Sequence, residues 1–164
     1  MLEIIMIRYR EATLEDLPSI CLIGEEVNIL HHTAWPHIFT AADNPMKHSE
    51  HWGRSIQAEN AETFVVENNN QLVGFITVKI LSDKNSLVHP TPYCSIGSVV
   101  VSQQSRGLGI GRELMRCAER WAIENGIKDI RLRVYDFNKN ALNLYLELGY
   151  EMRSHELGKL LSSI

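Results

Sequence analysis

The chain has 164 residues, 45% of them hydrophobic and 22% charged, with a formal net charge of −4. This length suits one domain with a real core and leaves little room for a second, and the composition excludes a disordered or fibrous chain. The acidic balance argues against a general nucleic-acid binder, whose phosphate-neutralising surface drives the charge positive, so any anion site must be local.

Three widely spaced cysteines, Cys21, Cys94 and Cys117, form no C-x-x-C pair. They fit a reducing compartment, the cytoplasm by default, better than a disulfide framework or a zinc site. No run approaches the roughly 18 consecutive apolar residues of a membrane span. Glu3, Arg8 and Arg10 interrupt the N-terminal apolar run, which reads as a strand over residues 4–10 rather than a leader. "ATLEDLPSICLIGEEV" opens a helix, with Thr13 and Asp16 as a short-armed capping box and Leu17, Ile20, Cys21, Gly24 and Val27 at helical spacing.

Residues 28–48 have no clean period and read as a surface-forming loop; a second helix is expected over residues 49–60. The period then changes to two. "ETFVVENNNQLVGFITVKIL" predicts a hairpin turning at residues 68–70, and "PYCSIGSVVV" a further strand in which Gly97 marks a bulge or a close backbone approach. From Gly109 a stripe of Ile110, Leu114, Ala118, Trp121 and Ala122 predicts a helix that ends at Asn125 and Gly126. "DIRLRVYD" predicts a strand, "NKNALNLYLELG" a short helix capped by Asn138, and "YEMRSHEL" a last strand.

The densest stretch is "SQQSRGLGIGREL", a glycine-rich loop between a strand and a helix. Such a loop converges unpaired backbone N–H groups, and the helix dipole adds roughly half a positive charge there. Taken alone, it reads equally as a tight turn with no ligand. A magnesium-nucleotide loop needs Gly-Lys-Ser/Thr at its end, whereas Gly111 is followed by Arg112 and Glu113. A dinucleotide fingerprint needs a third glycine where Arg112 stands, in a larger fold than the remaining chain can build. The spacing Arg/Gln-x-x-Gly-x-Gly/Ala is filled by Arg106, Gly109 and Gly111.

With that loop, the chain resembles the GNAT superfamily of acyl-CoA-dependent N-acetyltransferases. "VVVSQQSRGLGIGREL" resembles the family's acetyl-CoA motif, and "NKNALNLYLELGYE", about thirty residues on, resembles its second motif. "MIRYREATLEDL" looks like the opening strand and helix, which makes residues 1–5 an N-terminal extension. Gln103 and Ser105 replace a common proline and a common aromatic without removing a backbone donor.

The resemblance implies an α/β fold of order β-α-α-β-β-β-α-β-α-β around a mixed, mostly antiparallel sheet, in a single domain over residues 1–164. It implies that the main chain of Val99, Val100 and Val101 pairs with the pantetheine arm of acetyl-CoA. The amides of Arg106, Gly107, Leu108, Gly109, Ile110, Gly111 and Arg112 would hold the pyrophosphate, with Arg106 and Arg112 adding charge. Asn138 would contact the pantetheine arm. Tyr145 would be the general acid that protonates the departing thiolate. Each has a plainer reading: core valines, solvated arginines, a helix cap, a core tyrosine.

The implied reaction is direct acetyl transfer to a primary amine of a small molecule or peptide, with a backbone N–H near Val99 at the oxyanion and no covalent enzyme intermediate. Some members carry a glutamate where this chain has Ser95, so the base is unassigned; Glu26, His31 and His32 are weak candidates. Residues 28–45 and 83–92 are expected to bind the acceptor, with Trp35, His37 and Phe39 either lining that pocket or packing the loop. The histidines lack a metal-binding spacing, so no metal is expected. The expected partners are acetyl-CoA and an amine, with no nucleic acid or membrane, and a homodimer is compatible with the family. A non-catalytic acyl-CoA-binding regulatory module and a site for another nucleotide are the competing readings.

Overall fold

The computed structural model describes residues 6–161, and the chain divides into two compact units, Met1–Arg133 and Val134–Ile164. The first unit is built on one sheet in sequential order: β1 (Ile7–Glu11), β2 (Ala61–Asn68), β3 (Gln71–Ser82), β4 (Pro92–Val101) and β5 (Ile130–Leu132). Pairing is antiparallel from β1 to β4, whereas β5 joins β4 in parallel. Residues 4 and 5 of the expected first strand, and the extension over residues 1–5, lie outside the described residues, and Met6 precedes β1.

The β2–β3 hairpin turns through Asn69 and Asn70 at φ of +50° and +63°. A two-residue type I′ hairpin turn requires both central residues to be left-handed, and asparagine tolerates that region. Between β3 and β4 the register shifts by one: Thr77 pairs with Ser98 and Val78 with Ile96, leaving Gly97 as the extra residue. A Cβ at Gly97 would lie 2.7 Å from the Thr77 hydroxyl oxygen, which itself accepts from the Ser98 N–H at 3.0 Å. The bulge and the close approach expected at Gly97 are therefore one feature.

Period-two alternation gives the sheet two apolar faces. On one, Val65, Phe75 and Val100 pack with Ile20, Cys21 and Ile23 of α1 (Leu17–Ala34) and Trp52 of α2 (Ser49–Gln57). On the other, α3 (Ile110–Glu124) lies against β2, β3 and β4 and buries Ile110, Leu114, Met115, Cys117, Ala118 and Ala122. The Asp16 carboxylate accepts from the Thr13 N–H at 2.8 Å and receives both terminal nitrogens of Arg10 at 2.8 Å. The Arg10 guanidinium, a hydrogen-bond donor to both oxygens, holds the Asp16 carboxyl below the usual carboxylate range.

The second unit contains α4 (Lys139–Glu147), whose N-terminus is capped as expected: the Asn138 carbonyl oxygen accepts from the Ala141 N–H at 3.3 Å. Gly149, at φ +89°, ends it.

Three expectations are corrected. Residues 28–34 are not loop but the last two turns of α1, which has no proline or glycine after Gly24 and stops at Trp35, where the following Pro36 disfavours helix. The strand expected in "YEMRSHEL" is absent: residues 151–161 are exposed throughout and carry no regular structure. In that segment Glu151, Arg153, Ser154, His155 and Glu156 leave neither alternate face apolar, so pairing would bury little. The strand expected over "DIRLRVYD" is likewise limited to Ile130–Leu132.

Candidate active site

Residues Cys94, Ser95 and Ile96 of β4 pair with Ile130, Arg131 and Leu132 of β5, and there the ladder stops. From Gly97 to Val101, β4 pairs with β3 alone among the described residues. Antiparallel pairs alternate between bonded and non-bonded, and the Ser102 N–H donates to the Val73 carbonyl at 2.8 Å. The alternation therefore turns the N–H and C=O of Val99 and Val101 away from β3, towards the open edge. Their side chains are half-buried on the α3 face while Val100 is buried in the opposite core. The side chains of these valines pack, while the N–H and C=O of Val99 and the N–H of Val101 face the open edge and the Val101 carbonyl accepts from Arg106.

The open edge runs into the glycine loop. A short turn of 3-10 helix, Gln103–Ser105, buries Ser105, after which Gly107 and Gly109 take φ of +80° and +77°. Neither has any atom within 4 Å of where a Cβ would stand, so a ligand can approach the backbone closely. Helix α3 then starts at Ile110, and its first intrahelical bond is from the Glu113 N–H to the Gly109 carbonyl at 3.1 Å. The first-turn amides ahead of Glu113 point out of the helix end, where the dipole favours an anion.

Arg106 does not extend freely from this loop. Its Nε donates to the Val101 carbonyl at 3.0 Å and its Nη2 to Glu26 of α1 at 2.9 Å; the same Glu26 oxygen accepts from the Gln103 N–H at 2.9 Å. No pattern in the sequence announced this contact, which joins residues about eighty positions apart. The adjacent Glu25 is buried and accepts from the Asn28 amide at 2.9 Å. Its position four residues after the buried Cys21 was the available signal.

Ser95 sits in the closed part of β4, laddered to Lys79 on one side and Arg131 on the other. Arg131 lies over the Tyr93 ring at 3.8 Å and bonds Asp129 at 2.7 Å and Asp83 at 2.8 Å, which anchors the start of the loop over residues 83–92. At the end of α1, Phe39 folds back against His31 with ring centroids 4.8 Å apart, and its carbonyl lies 2.8 Å from His32 Nδ1. Trp35 stacks on Phe39, whereas His37 is exposed. Burial pushes the His31 imidazole below its ordinary range. Among the described residues no group of three or more His, Cys, Asp or Glu is placed to hold a metal.

The three cysteines are buried, and burial raises each thiol, that of Cys94 up to about 11. In the second unit Tyr145 is also buried, which pushes its hydroxyl up to about 12. Its ring lies 6.1 Å from that of Tyr150, and its carbonyl accepts from the Tyr150 N–H at 3.0 Å.

Known proteins resemble this chain in sequence and fold. A mycothiol acetyltransferase of Thermomonospora curvata is 30% identical over 112 residues, which is 68% of this chain and 33% of that protein. The chain thus spans about a third of the length of the curated relatives it matches. Among solved structures, a tetramutant of the BH1408 protein of Bacillus halodurans superposes with a TM-score of 0.87 at 21% identity, over 94% of this chain and 99% of that one. The aminoglycoside N-acetyltransferase AAC(6')-Iy, solved in complex with CoA, superposes with a TM-score of 0.74 at 15% identity, over 99% of both chains. At these identities the two structures establish the fold. No helix among the described residues is long and apolar enough to cross a membrane. The family model described as Acetyltransferase (GNAT) family matches residues 25–150, and the chain belongs to that family.

Proposed function

We propose that this chain is an N-acetyltransferase that moves an acetyl group from acetyl-CoA directly to a primary amine of a small molecule or peptide, with residues 1–164 working as one domain. One observation carries the reading: the open edge of β4, paired with no strand among the described residues from Gly97 on, leads through the short turn Gln103–Ser105 into two left-handed glycines and the N-terminus of α3. An extended amide-bearing arm pairs with such an edge, and a pyrophosphate is stabilised by such a helix end.

In the proposed reaction the neutral amine attacks the thioester carbonyl carbon. The C–N bond forms, the oxyanion is held by an N–H of the open edge near Val99, and the C–S bond breaks to release the CoA thiolate. Tyr145 donates its proton to that thiolate. The role rests on the place of Tyr145 in the second motif; its hydroxyl is protonated at neutral pH, and burial, by raising its pKa to about 12, makes it a weaker acid than an ordinary tyrosine. The proton of the attacking amine leaves through water, since Ser95 is no base at neutral pH, and water returns a proton to the Tyr145 phenolate. A cysteine acyl-enzyme is disfavoured by the raised pKa of all three thiols. The end of α1 and the loop over residues 83–92 are the proposed acceptor-binding elements. The name of one relative, a mycothiol acetyltransferase, supports a small molecule as acceptor.

The test is thermal unfolding with acetyl-CoA, followed by thiol release over an amine panel. Ligand at 100 times its Kd stabilises by about 2.7 kcal/mol; no shift at millimolar acetyl-CoA, or a larger one with ATP or NAD, sinks the reading. Binding without thiol release on any amine selects the regulatory acyl-CoA-binding module, which the serine at position 95 favours. Tyr145→Phe is expected to lower kcat about 100-fold, within the range for lost acid catalysis, with the Kd for CoA within twofold. An unchanged kcat removes Tyr145 from the mechanism.

A further inference from the structure

We propose that Glu26 is a positioning residue for the pyrophosphate loop, acting from α1 through Gln103 and Arg106. The inference rests on the loop being a CoA site. One carboxylate oxygen of Glu26 accepts from both the Gln103 N–H and the Arg106 Nη2 at 2.9 Å, and its other oxygen lies 3.3 Å from the Gln103 nitrogen. Arg106 completes the arrangement by donating Nε to the Val101 carbonyl at 3.0 Å. The last residue of β4, the first of the loop's turn and the residue before Gly107 are thereby tied to one side chain of α1.

Two consequences follow. The Val101 carbonyl belongs to the open edge of β4, and Arg106 takes it, so the part of that edge left for a ligand ends at the Val101 N–H. Two of the three guanidinium nitrogens of Arg106 donate to protein acceptors, so part of its contribution to anion binding is the placement of the amides from Gly107 onward. A carboxylate beside an anion site is electrostatically unfavourable, and Arg106 offsets it locally. Because the Arg106 side chain is 57% and the Glu26 side chain 33% exposed, the ion pair adds little to global stability. Its effect is expected in the order of the loop. Glu26 was also a weak candidate for the general base, a role that makes a different prediction.

The experiment is calorimetric titration of the full chain with CoA, using wild type, Glu26→Ala, Glu26→Gln, Arg106→Ala and the double variant, with steady-state kinetics alongside. Glu26→Ala is expected to raise the Kd for CoA about tenfold, or about 1.4 kcal/mol. Glu26→Gln keeps an acceptor for the Gln103 N–H but loses the charge, and falls between. In the Arg106→Ala background, removing Glu26 raises the Kd less than it does in wild type, because coupled partners are not additive and only the Gln103 contact is left to lose. The KM for acetyl-CoA follows the Kd, while kcat falls less than threefold.

A folded Glu26→Ala protein that binds CoA like wild type overturns the proposal. A hundredfold loss of kcat at unchanged Kd also overturns it, in favour of the base role. Wild-type protein that binds no CoA overturns the functional reading itself, a result distinguishable because it appears before any variant is made.

Discussion

Helix α3 begins behind Gly109 at φ +77° and ends before Gly126 at φ +72°, two glycines with nearly the same left-handed backbone and no atom within 4 Å of an added Cβ. At the C-terminal end the protein uses that geometry for itself. The Gly126 N–H reaches the Ile123 carbonyl and the Ile127 N–H the Ala122 carbonyl, both at 2.9 Å, and the buried Ile127 seals the turn. At the N-terminal end the first inward bond is made only by Glu113, and the amides before it face outward. The same conformation therefore closes one end of the helix and opens the other. A left-handed glycine signals a ligand site only where its neighbours leave donors directed at empty space.

Substitutions at the two ends test this contrast. Ile127→Ala is expected to have the largest effect, a loss of about 2–4 kcal/mol by the usual cost of truncating a buried isoleucine. Chemical denaturation measures it, and the Kd for CoA of the remaining folded protein should not change. Gly109→Ala comes next. The left-handed alanine costs about 1 kcal/mol of stability, and the new methyl group stands where a phosphate approaches, so the Kd for CoA should rise tenfold or more by titration. Gly126→Ala carries the same cost of about 1 kcal/mol and should leave CoA binding unchanged. Equal losses of CoA affinity in the two glycine variants would erase the distinction. A Gly109→Ala protein with full affinity would show that glycine serves only the turn.

The glycine loop was legible because its requirements are local. A left-handed backbone admits few residues besides glycine, and a following amphipathic stripe marks where the helix begins. The β2–β3 hairpin was legible for the same reason, through two adjacent asparagines and a change of period. The end of α1 was not. The aromatics and histidines after Val27 hid a helix that continues until Pro36 forbids it, so the turn bearing Trp35 and Phe39 starts later than residue 28. The missing strand after α4 was misread in the opposite sense. Its residues alternate loosely in type, but a strand needs an apolar face and a partner, and charged residues fall on both of its faces.

The sequence by itself determined the order of elements through α4, the bulge at Gly97, the loop framed by Arg106, Gly109 and Gly111, and the family to which they belong. Each depends on backbone conformation or on periodicity within a few residues. Only the tertiary structure decided that β5 leaves β4 after Ile96, that Val99 and Val101 turn their main chain to the open edge, and that Glu26 holds Arg106 and Gln103. Those facts depend on which strand edges meet and which side chains converge from distant segments, and a single sequence carries no local mark of either.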